Sequence, residues 1–229
     1  MAHLKRYAMP DFWPARKKER KWIIRPSPGP HAVRRCVALQ IMLRDMLGYA
    51  RNSGEVKKIL NRNCVMVDRK VRKDPGYPAG LMDVIEIPEA KKHFRMTMGR
   101  HGLELTDITE AEAASKICRI ERKIRVKGGM TQLSLHDGRN ILVKGKNDYS
   151  AGDSLVIGLP GQKILEHVKM EKGAKVMVIA GKNVGATGSV AEIKKRKTML
   201  EKSIVKLKHS KSEIETPLAY VFVMDGGKA

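Results

Sequence analysis

Cysteine is scarce in this chain. The three cysteines in 229 residues, Cys36, Cys64 and Cys118, include no C-x-x-C pair. A zinc ribbon built from cysteines alone therefore cannot form. An odd, sparse count beside 13 methionines points to buried thiols in a reducing cytosol, not to a disulfide framework. No 18-residue apolar run occurs, which excludes a membrane-spanning helix. "MAHLKRY" leads into no apolar stretch of the kind a secretory signal needs. Acidic residues are also in short supply, 24 against 46 lysines and arginines, for a formal net charge of +22 and a pI near 10.1. Self-repulsion on that scale opposes compaction unless a polyanion neutralises it. Nucleic acid supplies that counter-charge. An anionic membrane surface would too, but it calls for an amphipathic helix with a bulky apolar face toward lipid. The apolar stripes here are better used inside folded modules.

Catalytic signatures are missing as well. No H-x-x-x-H or H-E-x-x-H spacing offers a metal site, and no G-x-S-x-G elbow presents a serine nucleophile. Asp83 and Glu86 stand three apart on a strand-like run, hence on opposite faces, and Asp137 precedes Gly138 in an ordinary turn pair. The glycine-rich stretch "GAKVMVIAGKNVGATGSVAEI", 173–193, is the one candidate nucleotide loop. A hydrolase phosphate loop needs G-x-x-x-x-G-K-[ST], yet Gly181–Lys182 comes first and no Lys-Ser/Thr follows Gly185 or Gly188. The strand-like "SVAEI" that follows provides no helix N-terminus for a phosphate. Neither enzymatic activity nor a cofactor, metal or small-molecule substrate is expected.

What is present is positive charge, unevenly placed. Residues 1–35 carry net +8, 36–100 carry +6, 101–171 only +1 and 172–229 carry +7. Residues 1–36 read as a basic arm, extended and with little to bury. In it Lys5, Arg6, Arg16, Lys17, Lys18, Arg20, Lys21, Arg25 and His31 are candidate contacts to a polyanion, and Trp13 and Trp22 are placed to stack on bases. Residues 37–105 read as an α+β module. A helical pattern begins at His31 and runs through Leu39, Met42, Leu43 and Met46 to a terminator at Gly48. A second helix is capped by Asn52 with Glu55 and bears Lys57, Lys58 and Arg62 opposite its apolar side. A hairpin through Val65–Val71 crowds Arg69, Lys70, Arg72 and Lys73 at its tip and second strand, and "MDVIEI", 82–87, closes the module.

Residues 106–170 read as a helix, "TEAEAASKICRIERK", opened by Thr109 with Glu112, and then as a small β-barrel. Its turns fall at Gly128–Gly129, Asp137–Gly138, Gly145 and Gly152–Asp153. Its near-zero net charge suggests a platform more than a main phosphate contact. Residues 171–229 read as a five-stranded, SH3-like barrel. Gly181, Gly185 and Gly188 would supply positive φ in its first link, with Lys182 and Asn183 at the loop tip and Lys194, Lys195, Arg196 and Lys197 beyond.

The pattern from Gly173 to Val190 resembles the KOW motif of ribosomal proteins and transcription elongation factors, with its signature glycine at Gly185. Residues 39–87 resemble the αL RNA-binding module, in which the second helix and the hairpin face RNA. The chain departs from that module's usual Asn/Asp-Gly turn by having Asp68–Arg69, which leaves a tight type I′ turn and a looser one both open. The order of modules, together with "HLKR" (3–6), "RPSPGPH" (25–31) and "YPAGLMDVI" (77–85), is similar to small-subunit ribosomal protein family 4e, in its archaeal form. The resemblance implies a non-catalytic component of the cytoplasmic ribosome, bound to small-subunit rRNA beside other small-subunit proteins. A KOW transcription factor and an αL-bearing RNA-modifying enzyme are the alternatives. The αL module argues against the first, and residues 106–229 are too few and too barrel-like for the second's catalytic fold.

Overall fold

The computed structural model describes residues 4–144, 148–196, 198, 201–209 and 212–225. Gly145 and Lys197, named above, lie outside them. The chain divides into two units. One comprises Met1–Thr97, His101–Lys116 and Leu159–Gly161; the other comprises Met98–Arg100, Ile117–Gly158 and Gln162–Ala229. Antiparallel strands dominate both, so the chain is a mostly-β multidomain fold and not the α+β one its sequence suggests. The α-helices among the described residues all lie in the first unit. No helix among the described residues is long and apolar enough to cross a membrane.

In the first unit the arm does not extend. β1 (Leu4–Lys5) pairs with β2 (Trp22–Ile23), which folds the N-terminal segment back on itself. Met9, Trp13 and Ile23 are buried, and Trp13 Nε1 donates to the Cys36 carbonyl at 2.8 Å. β3 (Cys36–Ala38) takes residues expected in the first helix, because their backbone groups pair with a later strand. α1 (Leu39–Ile41) therefore starts late and continues as a π-turn over Met42–Met46, and Gly48 ends it at φ +68°. α2 (Ser53–Asn61) is capped as its sequence predicts: Asn52 accepts from the Glu55 N–H, and the Glu55 carboxylate accepts from the Arg51 N–H.

β4 (Met66–Val67) and β5 (Lys70–Val71) form the hairpin in a two-residue register, with Asp68 at φ +50° and Arg69 at φ +60°. Positive φ at both central residues is the type I′ signature, so the turn is tight without a glycine. Asp tolerates this region because its short side chain bonds locally; here the Asp68 carboxylate accepts from the Val84 N–H at 3.1 Å. β6 (Pro78–Gly80) returns to β3, and β7 (Val84–Ile87), β8 (Lys92–Gly99) and β9 (Gly102–Asp107) complete a five-stranded sheet in the order β5-β4-β7-β8-β9.

The Thr109–Glu112 capping box is present, but α3 (Glu110–Ala113) is only four residues long. The rest of the segment expected to be helical is β10 (Ser115–Val126), which alternates Lys116, Cys118 and Ile120 inward and crosses into the second unit. There β11 (Met130–Leu135), β12 (Asn140–Lys144), β13 (Ser154–Gly158) and β14 (Lys163–Val168) build a half-barrel in the order β12-β11-β10-β13-β14. β15 (Lys175–Val178), β16 (Thr187–Lys194), β17 (Ile204–His209), β18 (Ser212–Pro217) and β19 (Val221–Asp225) form a second sheet in the order β18-β17-β16-β15-β19. Its valine-rich core takes in Val168 and packs Val156 of the half-barrel. Arg119 adds a polar tie, donating to the Ala219 and Val221 carbonyls.

Candidate nucleic-acid interface

The amphipathic pattern of α2 buries Val56 and Leu60 and leaves Lys57, Lys58 and Arg62 exposed. On the hairpin Lys70 and Lys73 are exposed too. None of these five cations has an ion-pair partner among the described residues. Their charge is therefore uncompensated by the protein. Arg69 and Arg72 are only half exposed. Arg69 Nε lies 3.6 Å from Glu86, and the Arg72 guanidinium stacks 4.4 Å from the Tyr77 ring centroid. These contacts aim the two arginines before any ligand arrives.

The arm candidates separate into two groups. Arg16, Lys17, Lys18, Arg20, Lys21 and Arg25 are exposed, as is Lys5, although Lys17 pairs with Asp11 at 2.5 Å. Arg6 is 1% exposed; its guanidinium donates to Glu19 and to the Arg16 carbonyl. It is therefore a strut of the folded arm and not a phosphate contact. The two tryptophans divide likewise. Trp13 is 3% exposed and unable to stack on a base, whereas Trp22 is 48% exposed with Lys21 over its ring.

His31 is also misplaced by a surface reading. It is buried, its Nε2 shares a hydrogen bond with Asp83 at 3.1 Å, and its ring lies where a Cβ on Gly80 would stand. Nearby, Pro78 occupies the space beside Gly29, and the Ser27 N–H donates to the Gly76 carbonyl at 2.7 Å. "RPSPGPH" thus lies along "YPAGLMDVI". Those two phrases are complementary halves of one packed seam.

That seam encloses a residue sequence reasoning missed. Lys116 is buried with its Nζ 2.8 Å from Asp68 and 2.5 Å from Asp83. Burial works against the Asp83 anion, but Lys116 and His31 outweigh it and hold the carboxyl below the usual carboxylate range. Asp68 goes the other way, raised first by burial and then by the neighbouring Asp83 charge. Burial, with Asp83 beside it, also pushes the Cys36 thiol up to about 12, so it is inert.

In the second unit Cys118, His136 and Asp137 bring one sulfur, one ring nitrogen and one carboxylate together. Their donor atoms are already engaged. Asp137 accepts from Cys118 and from Arg139, and His136 Nδ1 accepts from the Arg119 N–H. This trio is a hydrogen-bonded knot of the sheet.

Lys182 stands exposed at the tip of the 173–193 loop, with Asn183 half-buried beside it. Lys194, Lys195 and Arg196 are exposed at and beyond the end of β16. Gly181 and Gly185 adopt φ +91° and +79°, as expected. Gly188 does not have positive φ. It is a strand residue whose missing side chain admits the Lys208 carbonyl of the neighbouring strand. Gly185 has a second reason to be glycine, since a Cβ there would strike the backbone of Gly99 and Arg100.

Family relationships agree with this geometry. The model of the ribosomal family S4e matches residues 90–164, and the RS4NT domain matches residues 2–34. The Small ribosomal subunit protein eS4 of Staphylothermus marinus is 43% identical over 230 residues, covering 96% of this chain and 90% of its own. The chain belongs to the ribosomal S4e family. The eS4 protein of Methanocella arvoryzae is 40% identical, with 97% and 93% covered. The crystal structure of the 30S ribosomal protein S4e from Thermoplasma acidophilum superposes with a TM-score of 0.74 at 29% identity, over 85% of this chain and 97% of that one. The RS4NT match at 2–34 spans the folded-back arm, and the S4e match at 90–164 runs from β8 into β14. α2 and the 173–193 loop fall outside both and are covered by the full-length relatives.

Proposed function

We propose that this chain is a non-catalytic structural constituent of the small subunit of the cytoplasmic ribosome, and that it binds and orients segments of small-subunit rRNA beside neighbouring small-subunit proteins. The observation that carries the reading is the set of five exposed, unpaired cations on α2 and the β4–β5 hairpin, in a chain whose relatives over nearly its whole length are small-subunit proteins. On this reading residues 37–105 act as an αL-type module and residues 171–229 as an SH3-like KOW barrel, with Lys182, Asn183, Lys194, Lys195 and Arg196 as its RNA-facing loops. The arm contributes Lys5, Arg16, Lys18, Arg20, Lys21 and Arg25, with Trp22 as a stacking surface.

Most contacts are lysine or arginine to phosphate, which position the protein without reading sequence. Selectivity then comes from the shape of the folded RNA and a few unstacked bases. With roughly ten phosphates neutralised, affinity falls by several orders of magnitude between low and moderate salt. Crosslinking the protein in cell lysate and sequencing the attached RNA tests the reading. Recovery of small-subunit rRNA is expected; tRNA or nascent transcripts in its place would overturn it.

A further inference from the structure

Half of β10 buries nothing. Up to Ile120 the strand alternates inward; at Glu121 the register with β11 shifts by one residue, and from Glu121 to Lys127 every side chain is exposed. A bulge re-aims a strand and sharpens its twist. Beyond this one, β10, β11 and β12 continue as a three-stranded ribbon with paired rows Arg122–Ser134–Asn140, Ile124–Gln132–Leu142 and Val126–Met130–Lys144 on its outer face. The intervening rows, Lys123–Leu133–Ile141 and Arg125–Thr131–Val143, lie on the face that leads back to the half-barrel core.

Cations emerge on both faces: Arg122 on the outer one and Arg125 on the inner one, with Lys127 at the β10–β11 turn. None of these three has a hydrogen-bond or ion-pair partner among the described residues. Between them the outer face exposes Ile124 at 49% and Leu142 at 56%. A strand pair normally keeps one face for solvent and one for a core. In this ribbon Leu133 and Thr131 of β11 are buried, and Ile141 and Val143 of β12 pack toward the half-barrel core. β10 itself leaves both of its faces open, and the outer face carries exposed aliphatic side chains.

We propose that the ribbon wedges between two rRNA phosphate backbones, with Arg122 reaching one, Arg125 and Lys127 the other, and Ile124 and Leu142 resting against riboses or unstacked bases. A docked protein would cover one face and leave the cations of the other unmatched. A polyanion on both sides neutralises both sets. The near-neutral total charge of residues 101–171 concealed this, because, of their carboxylates, only Glu121 lies within residues 121–127, and it pairs with Arg119. The inference rests on the rRNA-binding reading and adds a contact surface to it.

The test uses the full-length chain carrying Arg122→Glu, Arg125→Glu and Lys127→Glu, titrated against in-vitro-transcribed small-subunit rRNA over a series of KCl concentrations. Affinity should fall at least tenfold, and the slope of log affinity against log salt should become shallower by about two to three. The melting temperature should stay unchanged, since all three altered side chains are exposed. Should the triple variant fail to fold, Arg122→Gln, Arg125→Gln and Lys127→Gln are read singly, each flattening the slope by about one. Unchanged affinity and slope, beside a wild-type chain that binds, would overturn the ribbon alone. Normal rRNA binding with loss of a neighbouring protein from reconstituted particles would overturn it in favour of a protein partner. A wild-type chain that does not bind the rRNA would instead remove the underlying functional reading.

Discussion

Lys116 and Asp83 form a salt bridge sealed from solvent, with Asp68 on the other side of the ammonium and His31 on the other side of the carboxylate. The arrangement ties four parts of the chain together: the arm's end, the β4–β5 turn, the link between β6 and β7, and the start of β10. Removing one member of a buried pair leaves an uncompensated charge, which costs about 3–5 kcal/mol. Lys116→Met should therefore destabilise the fold by that amount at neutral pH, measured by urea unfolding.

The sign of the pH dependence distinguishes this account from simple loss of packing. In the wild type the lowered Asp83 pKa contributes stability that is present above about pH 4, the unfolded carboxyl's range, and lost as pH falls below it. In Lys116→Met both carboxyls lose their shared ammonium while burial and their mutual repulsion remain, and only Asp83 keeps His31 beside it. Their folded pKa values therefore move up, that of Asp68 above the usual carboxylate range. Such groups destabilise at neutral pH and cease to do so as acid protonates them. The stability gap between the two proteins should narrow between pH 7 and pH 4. A gap that stays constant would mean that the carboxylates carry no buried charge.

The two tryptophans give a second contrast. Trp13 fills the interior of the folded arm, so Trp13→Ala should cost about 3–5 kcal/mol in stability. Trp22→Ala should leave the unfolding midpoint in place and weaken rRNA binding severalfold, because an exposed indole under a lysine can stack on a base. Equal effects on stability would contradict the division between buried strut and open platform.

Charge reversal at Lys57, Lys58 and Arg62 should reduce rRNA affinity at least tenfold and flatten its salt dependence, while the melting temperature stays put. Arg6→Met should do the reverse. Its guanidinium holds Glu19 and the Arg16 carbonyl, so the arm loosens while the direct phosphate count stays the same. Parallel thermal scans and binding titrations on the two variants decide between these roles.

Local signals were legible wherever the physics is local. Asn52 with Glu55, Thr109 with Glu112, Gly48 after its helix and the valine alternation at 176–178 all act within a few residues, and each is found where its spacing puts it. The long-range features were not legible. "SKICRI" reads as helix beside an alanine-rich start, yet partners on both sides hold it as a strand. A lysine inside that run gives no sign that two aspartates 48 and 33 positions earlier will enclose it. Arg6 and His31 looked like surface cations because their counter-groups, Glu19 and Asp83, could be paired with them only in three dimensions. On the α2 face, by contrast, the helical period separates apolar from basic residues directly, and Lys57, Lys58 and Arg62 were placed correctly as exposed.

Gly185 carries two separate requirements, and a substitution series can resolve them. Its φ of +79° disfavours any L-residue, and the backbone of Gly99 and Arg100 fills the place a side chain would take. Positive φ alone costs about 1 kcal/mol for alanine; the collision adds to it because backbone, unlike a flexible side chain, yields little. Gly185→Ala should therefore destabilise the second unit by more than about 2 kcal/mol. Gly48→Ala, at φ +68° but with open space around it, should cost only the conformational part. Chemical unfolding of both variants measures the difference. If the two costs are equal, the close approach of Gly99 is not a constraint on the fold, and backbone conformation by itself explains the glycine.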